Sequence, residues 1–262
     1  MTQSPAYFAH VRTRWITLLA LLAMLMAGCA AVSLMDDTAT LMKEGQALYE
    51  AKRFDEAIVK FRSVTVREPA NWSAWLWTAR AFIAKGGWAD AIASARKAFE
   101  TGPSPEVLQV FLQALFGGGT QALASGNFSD SIKYFSEFLK HNTTDAGAWL
   151  SVGKAYLGNK QFADALKALT SALGTAGVDR GEVVKTILGG GVQAFNQKDY
   201  SGAISLLREY VKQDNRNLQA YLTLAKSYWE SGQRGGALDT FRDVLRINPT
   251  NPEALQFLKQ ML

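Results

Sequence analysis

The side chains able to carry covalent or metal chemistry are few: one cysteine, Cys29, and two histidines, His10 and His141, in 262 residues. A single thiol makes no intramolecular disulfide and no thiolate metal site. His10 lies in the amino-terminal segment and His141 in the turn-like stretch His141-Asn142-Thr143-Thr144-Asp145. One histidine supplies neither a zinc site of ordinary ligand count nor, without a nucleophile beside it, a triad. Simple solvation is the role expected of it. The acidic residues are scattered rather than paired, so no carboxylate couple is placed for acid–base work. These residues predict no enzymatic activity, no metal and no cofactor.

The segment before Cys29 gives that thiol a different chemistry. Residues 1–28 hold Arg12 and Arg14, no acidic residue and the apolar run Trp15–Met26, which is the layout of a secretory signal. The run Leu25-Met26-Ala27-Gly28-Cys29 resembles a bacterial lipobox, with Met26 where leucine is usual. The resemblance implies that Cys29 is diacylated on its thiol and becomes the first mature residue. It also implies that Ala30, where aspartate would signal inner-membrane retention, permits export to the outer membrane, facing the periplasm, in a Gram-negative host. The alternative is a retained inner-membrane signal anchor, because Trp15–Met35 is uncharged over 21 residues and long enough to span a bilayer. Either way the rest of the chain works in the cell envelope. Residues 29–37 then form a tether that reaches at most about 30 Å.

The elements beyond the tether follow a 34-residue period. Numbering each unit from its first residue, position 8 reads Gly45, Ala79, Gly119, Gly153, Gly191, Ala225 and position 20 reads Ala57, Ala91, Ser131, Ala165, Ala203, Ala237. Position 4 is bulky throughout: Leu41, Trp75, Leu115, Trp149, Ile187, Tyr221. Position 24 is Phe61, Ala95, Phe135, Leu169, Leu207, Phe241, and Pro69, Pro103 and Pro249 end three units. Small residues let two antiparallel helices approach, while large ones at 4, 11 and 24 are expected to fill the space between units. The spacing resembles the tetratricopeptide repeat (TPR), a helix–turn–helix of 34 residues. The resemblance implies an all-α, right-handed solenoid of six repeats at 38–71, 72–105, 112–145, 146–179, 184–217 and 218–251. Residues 252–262 read as a capping helix. The repeats nearly fill the chain after the signal, so no second, catalytic domain is expected.

Repeats 3 and 5 depart from the pattern together. Each is preceded by an insertion, Glu106–Phe111 or Gly181–Val183, and each carries a triple glycine, Gly117–Gly119 or Gly189–Gly191. The insertions read as lengthened first helices, with Ser104-Pro105-Glu106 and Asp179 as start signals. Three glycines inside a helix cost about 2–3 kcal/mol relative to alanine. Close backbone packing or a kink offsets that in one reading; a hinge or a partner's close approach does so in the other. Neither run completes a phosphate-loop pattern.

Net charge is +5, or +3 without Arg12 and Arg14, with no block of like charge, so nucleic acid is not an expected partner. No small-molecule substrate is expected either. The sequons at Asn71, Asn127 and Asn142 fall at repeat turns, where asparagine serves as turn and cap residue.

The family's first helix lines a concave groove, and positions 5, 9 and 12 point into it. Carried over, position 5 is Met42, Leu76, Phe116, Leu150, Leu188, Leu222, and position 12 includes Tyr49, Ile83, Leu123, Leu157, Phe195 and Trp229. Position 9 is cationic in even repeats: Arg80, Lys154 and Lys226. These residues either pack as core or form a greasy groove for an extended or helical segment of another protein, with acidic groups near the cations. Trp72 and Trp77 lack a column and could anchor a partner. The predicted function is a membrane-anchored scaffold for protein–protein interactions in cell-envelope assembly. Its layout is similar to lipoproteins that pilot pilus secretins and to the TPR lipoprotein of the β-barrel assembly machine. The alternative is a regulatory docking subunit of a peptidoglycan or exopolysaccharide enzyme.

Overall fold

A computed structural model describes residues 37–261. The signal segment, Cys29 and the tether up to residue 36 lie outside the described residues. Thirteen helices and no strand occur among the described residues: α1 Thr38–Glu50, α2 Phe54–Arg67, α3 Trp72–Lys85, α4 Trp88–Thr101, α5 Pro105–Ala124, α6 Phe128–His141, α7 Ala146–Gly158, α8 Phe162–Leu173, α9 Arg180–Asn196, α10 Tyr200–Gln213, α11 Leu218–Glu230, α12 Arg234–Ile247 and α13 Pro252–Met261. They fall into two compact units. The first holds residues 37–87 and 94–104, the second 88–93 and 105–261. Within the first, α1 packs on α2, and α2 and α1 on α3. Within the second, each helix from α5 to α12 packs on its successor, and α5, α7 and α9 also meet α7, α9 and α11 respectively.

Short polar side chains start these helices. Asp37, Asn71, Asn127, Asp145, Asp179, Asp199, Asn217 and Asn251 each accept a hydrogen bond from the backbone N–H three residues on, satisfying a donor that the first helical turn leaves open. Asn71 and Asn127 are thus caps, as their place at repeat turns predicts. The turn inside each pair is equally regular. Lys52, Gly86, Gly126, Lys160, Lys198 and Gly232, all at position 15, have φ between 60° and 75°. That left-handed residue reverses the chain, and lysine tolerates it less well than glycine.

The small column works as predicted, and the large column at position 24 differs. A Cβ added at Gly45 would lie 2.5 Å from the Phe61 ring, one at Gly119 2.9 Å from Phe135, one at Gly153 2.8 Å from Leu169 and one at Gly191 2.7 Å from Leu207. Position 24 therefore packs inside its own pair, over position 8, rather than between units. Phe61, Phe135 and Phe241 are fully buried, each stabilising its pair by about 2–3 kcal/mol. The tryptophans at position 4 add a polar contact: the Trp75 and Trp149 indole N–H groups donate to the carbonyls of Pro69 and Thr143 at 2.8 and 2.9 Å.

Both insertions lengthen the following helix, and both glycine runs are helical throughout. The N-terminus of α9 is capped by Asp179. In α5, a Cβ on Gly117 would meet the Trp88 ring at 2.1 Å and one on Gly118 the Ile92 side chain at 2.7 Å. In α9, Gly190 lies against Leu157, whereas Gly189 has nothing within 4 Å. Close packing thus accounts for five of the six glycines, and nothing in the structure explains Gly189. The α5 helix is long and apolar enough to cross a membrane by length and composition. It buries Val107, Val110, Phe111, Ala114, Leu115, Gly118, Gly119 and Ala122 within the protein.

Candidate peptide-binding surface

A concavity in the second unit lies along α5. Gln109, Leu112, Gln113, Phe116 and Gly117 follow one another at helical i, i+3, i+4 spacing and so share a face. That face borders an open cleft of about 510 Å³, flanked by Trp88 at the start of α4, by Phe138 in α6 and by Asn142 and Asp145 in the turn from α6 to α7. Gly117 makes it possible, because any side chain there would displace the indole. The Phe116 ring is held edge-on by Phe135 and Phe138, both at 5.5 Å between centroids. One oxygen of Asp145 accepts the Ala148 N–H at 2.7 Å, fixing the carboxylate at the rim. An aromatic floor with amides on its edge suits a bulky side chain whose flanking peptide bonds can pair with Gln109 and Gln113.

The other predicted groove residues separate by burial. At position 5, Met42, Phe116 and Leu188 are half-buried, but Leu76, Leu150 and Leu222 are buried, at 2%, 8% and 6% exposure. The alternation follows the pairing of repeats. In the second unit, the added first turn of α9 brings Val183, fully buried, into the cluster that holds Leu150 and Leu157. Those leucines are core. At position 12, Tyr49, Ile83, Leu123, Phe195 and Trp229 are half-buried and Leu157 is buried. Tyr49 meets Phe54 at 5.3 Å and Trp77 at 5.4 Å between centroids. Trp229 meets Phe257 at 5.5 Å and carries the Arg234 guanidinium over its ring at 5.0 Å.

The cations of position 9 already have partners within the chain. Lys154 pairs with Glu182 on α9 at 2.5 Å, and Lys226 pairs with Glu253 on α13. The Arg80 guanidinium lies 4.9 Å over the Trp77 ring. Lys154 and Lys226 thus stitch one first helix to the next, and Arg80 rests on an aromatic ring of its own helix. Trp77 also has a packing duty, stacked 6.0 Å from Phe61. Trp72 remains 39% exposed, its ring covering Gly102. His141 is exposed, yet its ring lies 6.1 Å from Phe111, edge to face, so it does more than meet solvent.

Sequence columns pick out Phe116 alone of the cleft. Gln109 sits in the inserted turn, which the 34-residue register skips, and Trp88, Phe138, Asn142 and Asp145 come from other helices or turns. The i, i+3, i+4 run carried back from Phe116 through the insertion is the one signal that leads to Gln109, Leu112 and Gln113.

Family models of the tetratricopeptide repeat match residues 42–105, 116–179 and 194–261. The chain belongs to the tetratricopeptide repeat family. Its intervals between matches, 106–115 and 180–193, contain both inserted turns. A TPR array presents helix faces to other polypeptides, and this chain is a scaffold of that kind. Among solved structures, it is similar to the TPR protein YrrB, described as having an unusual peptide-binding site, at 18% identity over 76% of this chain and 97% of that one, TM-score 0.39. It is similar to the C-terminal part of a TPR protein from Cytophaga hutchinsonii at 16% identity over 96% and 97%, TM-score 0.42. A structure of Naa15/Naa10 bound to HypK-THB matches at 15% identity and TM-score 0.50, over 84% of this chain and 33% of that one. No curated protein sequence matches the chain significantly.

Proposed function

We propose that this TPR protein is a lipid-anchored scaffold of the cell envelope that grips a segment of another protein along α5. The cleft between Trp88, Phe116 and Phe138 carries the reading, because it joins an aromatic floor to the paired amides of Gln109 and Gln113. An extended or helical segment would seat one bulky apolar side chain there and run on along the half-buried residues of the neighbouring first helices. The basic and apolar residues ahead of Leu25-Met26-Ala27-Gly28-Cys29 support acylation of Cys29 and hence a periplasm-facing outer-membrane location. The scaffold would then position partners during pilus, secretin or outer-membrane protein assembly.

Two measurements test this. Metabolic palmitate labelling is expected to mark the wild type and to miss Cys29→Ser; equal labelling of both removes the anchor from the proposal. Cross-linking and affinity purification from native membranes is expected to recover a partner with the wild type and to lose it with Gln109→Arg/Gln113→Arg. Both glutamines are exposed, so circular dichroism of the double variant should remain that of the wild type. Undiminished capture by that variant would take the cleft out of the function.

A further inference from the structure

The outward face of α2 breaks a rule that the other five repeats keep. Positions 22 and 29 lie seven residues apart, on one side of the second helix of each pair or, at Gly174, just past its end. They are exposed in every repeat and read Ala93 and Glu100, Lys133 and Lys140, Lys167 and Gly174, Ser205 and Lys212, Asp239 and Arg246. In repeat 1 the same positions are Val59 and Val66, 63% and 79% exposed. Exposed valine favours neither the helix nor solubility, so folding gives no reason for the pair. The side chains bordering them on this face are Arg62, Ser63 and Arg67.

The position of the chain entry supplies the occupant. The Thr38 hydroxyl, in the first turn of α1, donates to the Glu68 carboxylate just past the end of α2, at 2.5 Å. The carboxyl end of the valine stripe therefore lies beside the point where the tether joins. Nine residues, 29–37, separate that point from Cys29, a reach of about 30 Å at most. We propose that the Val59–Val66 face of α2 is the surface by which the protein lies on the bilayer, the valines entering the headgroup boundary. This rests on the acylation of Cys29 proposed above. An acyl anchor alone fixes distance and leaves orientation open; a second, apolar contact beside the tether fixes which side of the first repeat faces the membrane.

The test uses the full acylated protein, whose one native thiol is blocked by lipid, so that an introduced cysteine takes the label alone. Val66→Cys and, as control, Ala47→Cys are labelled with an environment-sensitive fluorophore and reconstituted in phosphatidylethanolamine–phosphatidylglycerol vesicles, with and without headgroup-region nitroxide lipid. Ala47 is exposed on α1, on the side facing away from Leu41 and Gly45, which are buried. Expected are blue-shifted emission at residue 66 that nitroxide lipid quenches and unshifted, unquenched emission at residue 47. Vesicle-bound protein with residue 66 as unquenched as residue 47 overturns the membrane-facing assignment while leaving the anchor intact. A blue shift that nitroxide leaves untouched overturns it in favour of a protein partner or second copy on this face. Absence of acylation and of vesicle flotation instead refutes the anchor, and the orientation falls with it.

Discussion

Gly117 and Gly189 hold the same register position in repeats 3 and 5, and alanine at each separates two effects that look alike in sequence. Both sit inside a helix, where glycine-to-alanine replacement stabilises by about 1 kcal/mol. Gly189 is exposed with nothing within 4 Å, so Gly189→Ala should show that gain nearly undiluted, as a rise in Tm of about 2–4 °C for a chain of this size. At Gly117 the new methyl would stand 2.1 Å from Cζ3 of Trp88. The rigid indole has to retreat by about 1.3 Å to regain ordinary contact, and overpacking of that kind costs about 2–3 kcal/mol. Set against the helix gain, Gly117→Ala should destabilise by about 1–2 kcal/mol, lowering Tm by about 2–8 °C. The two variants are to be compared with wild type by thermal and urea unfolding under far-ultraviolet circular dichroism. Because Trp88 lines the α5 cleft, Gly117→Ala should also weaken partner capture, and Gly189→Ala should leave it unchanged. A Gly117→Ala protein as stable as wild type, or a Gly189→Ala protein less stable, would refute the packing argument.

Other substitutions probe the remaining layers. Lys160 has φ 60°, so Lys160→Gly should stabilise by about 0.5–1 kcal/mol in urea titrations, and Gly126→Ala at the same turn position should lose a similar amount. Phe61→Ala empties a fully buried site and should cost about 3–5 kcal/mol by chemical denaturation. The Lys154–Glu182 pair is 37% and 47% exposed at its two side chains, so Lys154→Ala should change stability by less than about 1 kcal/mol, and by less again in high salt. Asp145→Ala removes the α7 cap and should cost about 1 kcal/mol while helix content stays near that of wild type.

The residues that repeat faithfully were readable in advance because each meets the same neighbour in every copy. Glycine or alanine at position 8 implies a close helix, and the structure puts Phe61, Phe135, Leu169 and Leu207 against that column. The caps at Asn71, Asn127 and Asp179 follow from the same local logic. Half of the candidate groove was not readable. Leu150 and Leu188 share a column, yet Leu150 is buried and Leu188 half-exposed, because the inserted first turn of α9 sends Val183 into the cluster around Leu150. Lys154 and Lys226 looked available to a partner until Glu182 and Glu253, roughly a repeat away in sequence, proved to be beside them. Gln109 belongs to no column at all, and Asp145 belongs to the capping column at position 34, which gives no sign of a cleft.

The sequence by itself determined the helical pairs, the close approach at the small columns and the caps at Asn71, Asn127 and Asp179, since these depend on residues within one 34-residue unit; that position 24 packs over position 8 of its own pair came from the structure. Tertiary structure alone decided which equivalent side chains remain open to solvent. Exposure depends on what the next helix lays over a position: the inserted turn of α9 brings Val183 into the cluster around Leu150, and α13 packs beside Leu222. The same principle leaves Phe116 half-buried beside its cleft while Leu150 in the next repeat is core; the Val59–Val66 face, at positions exposed in every repeat, differs from the others by residue type alone.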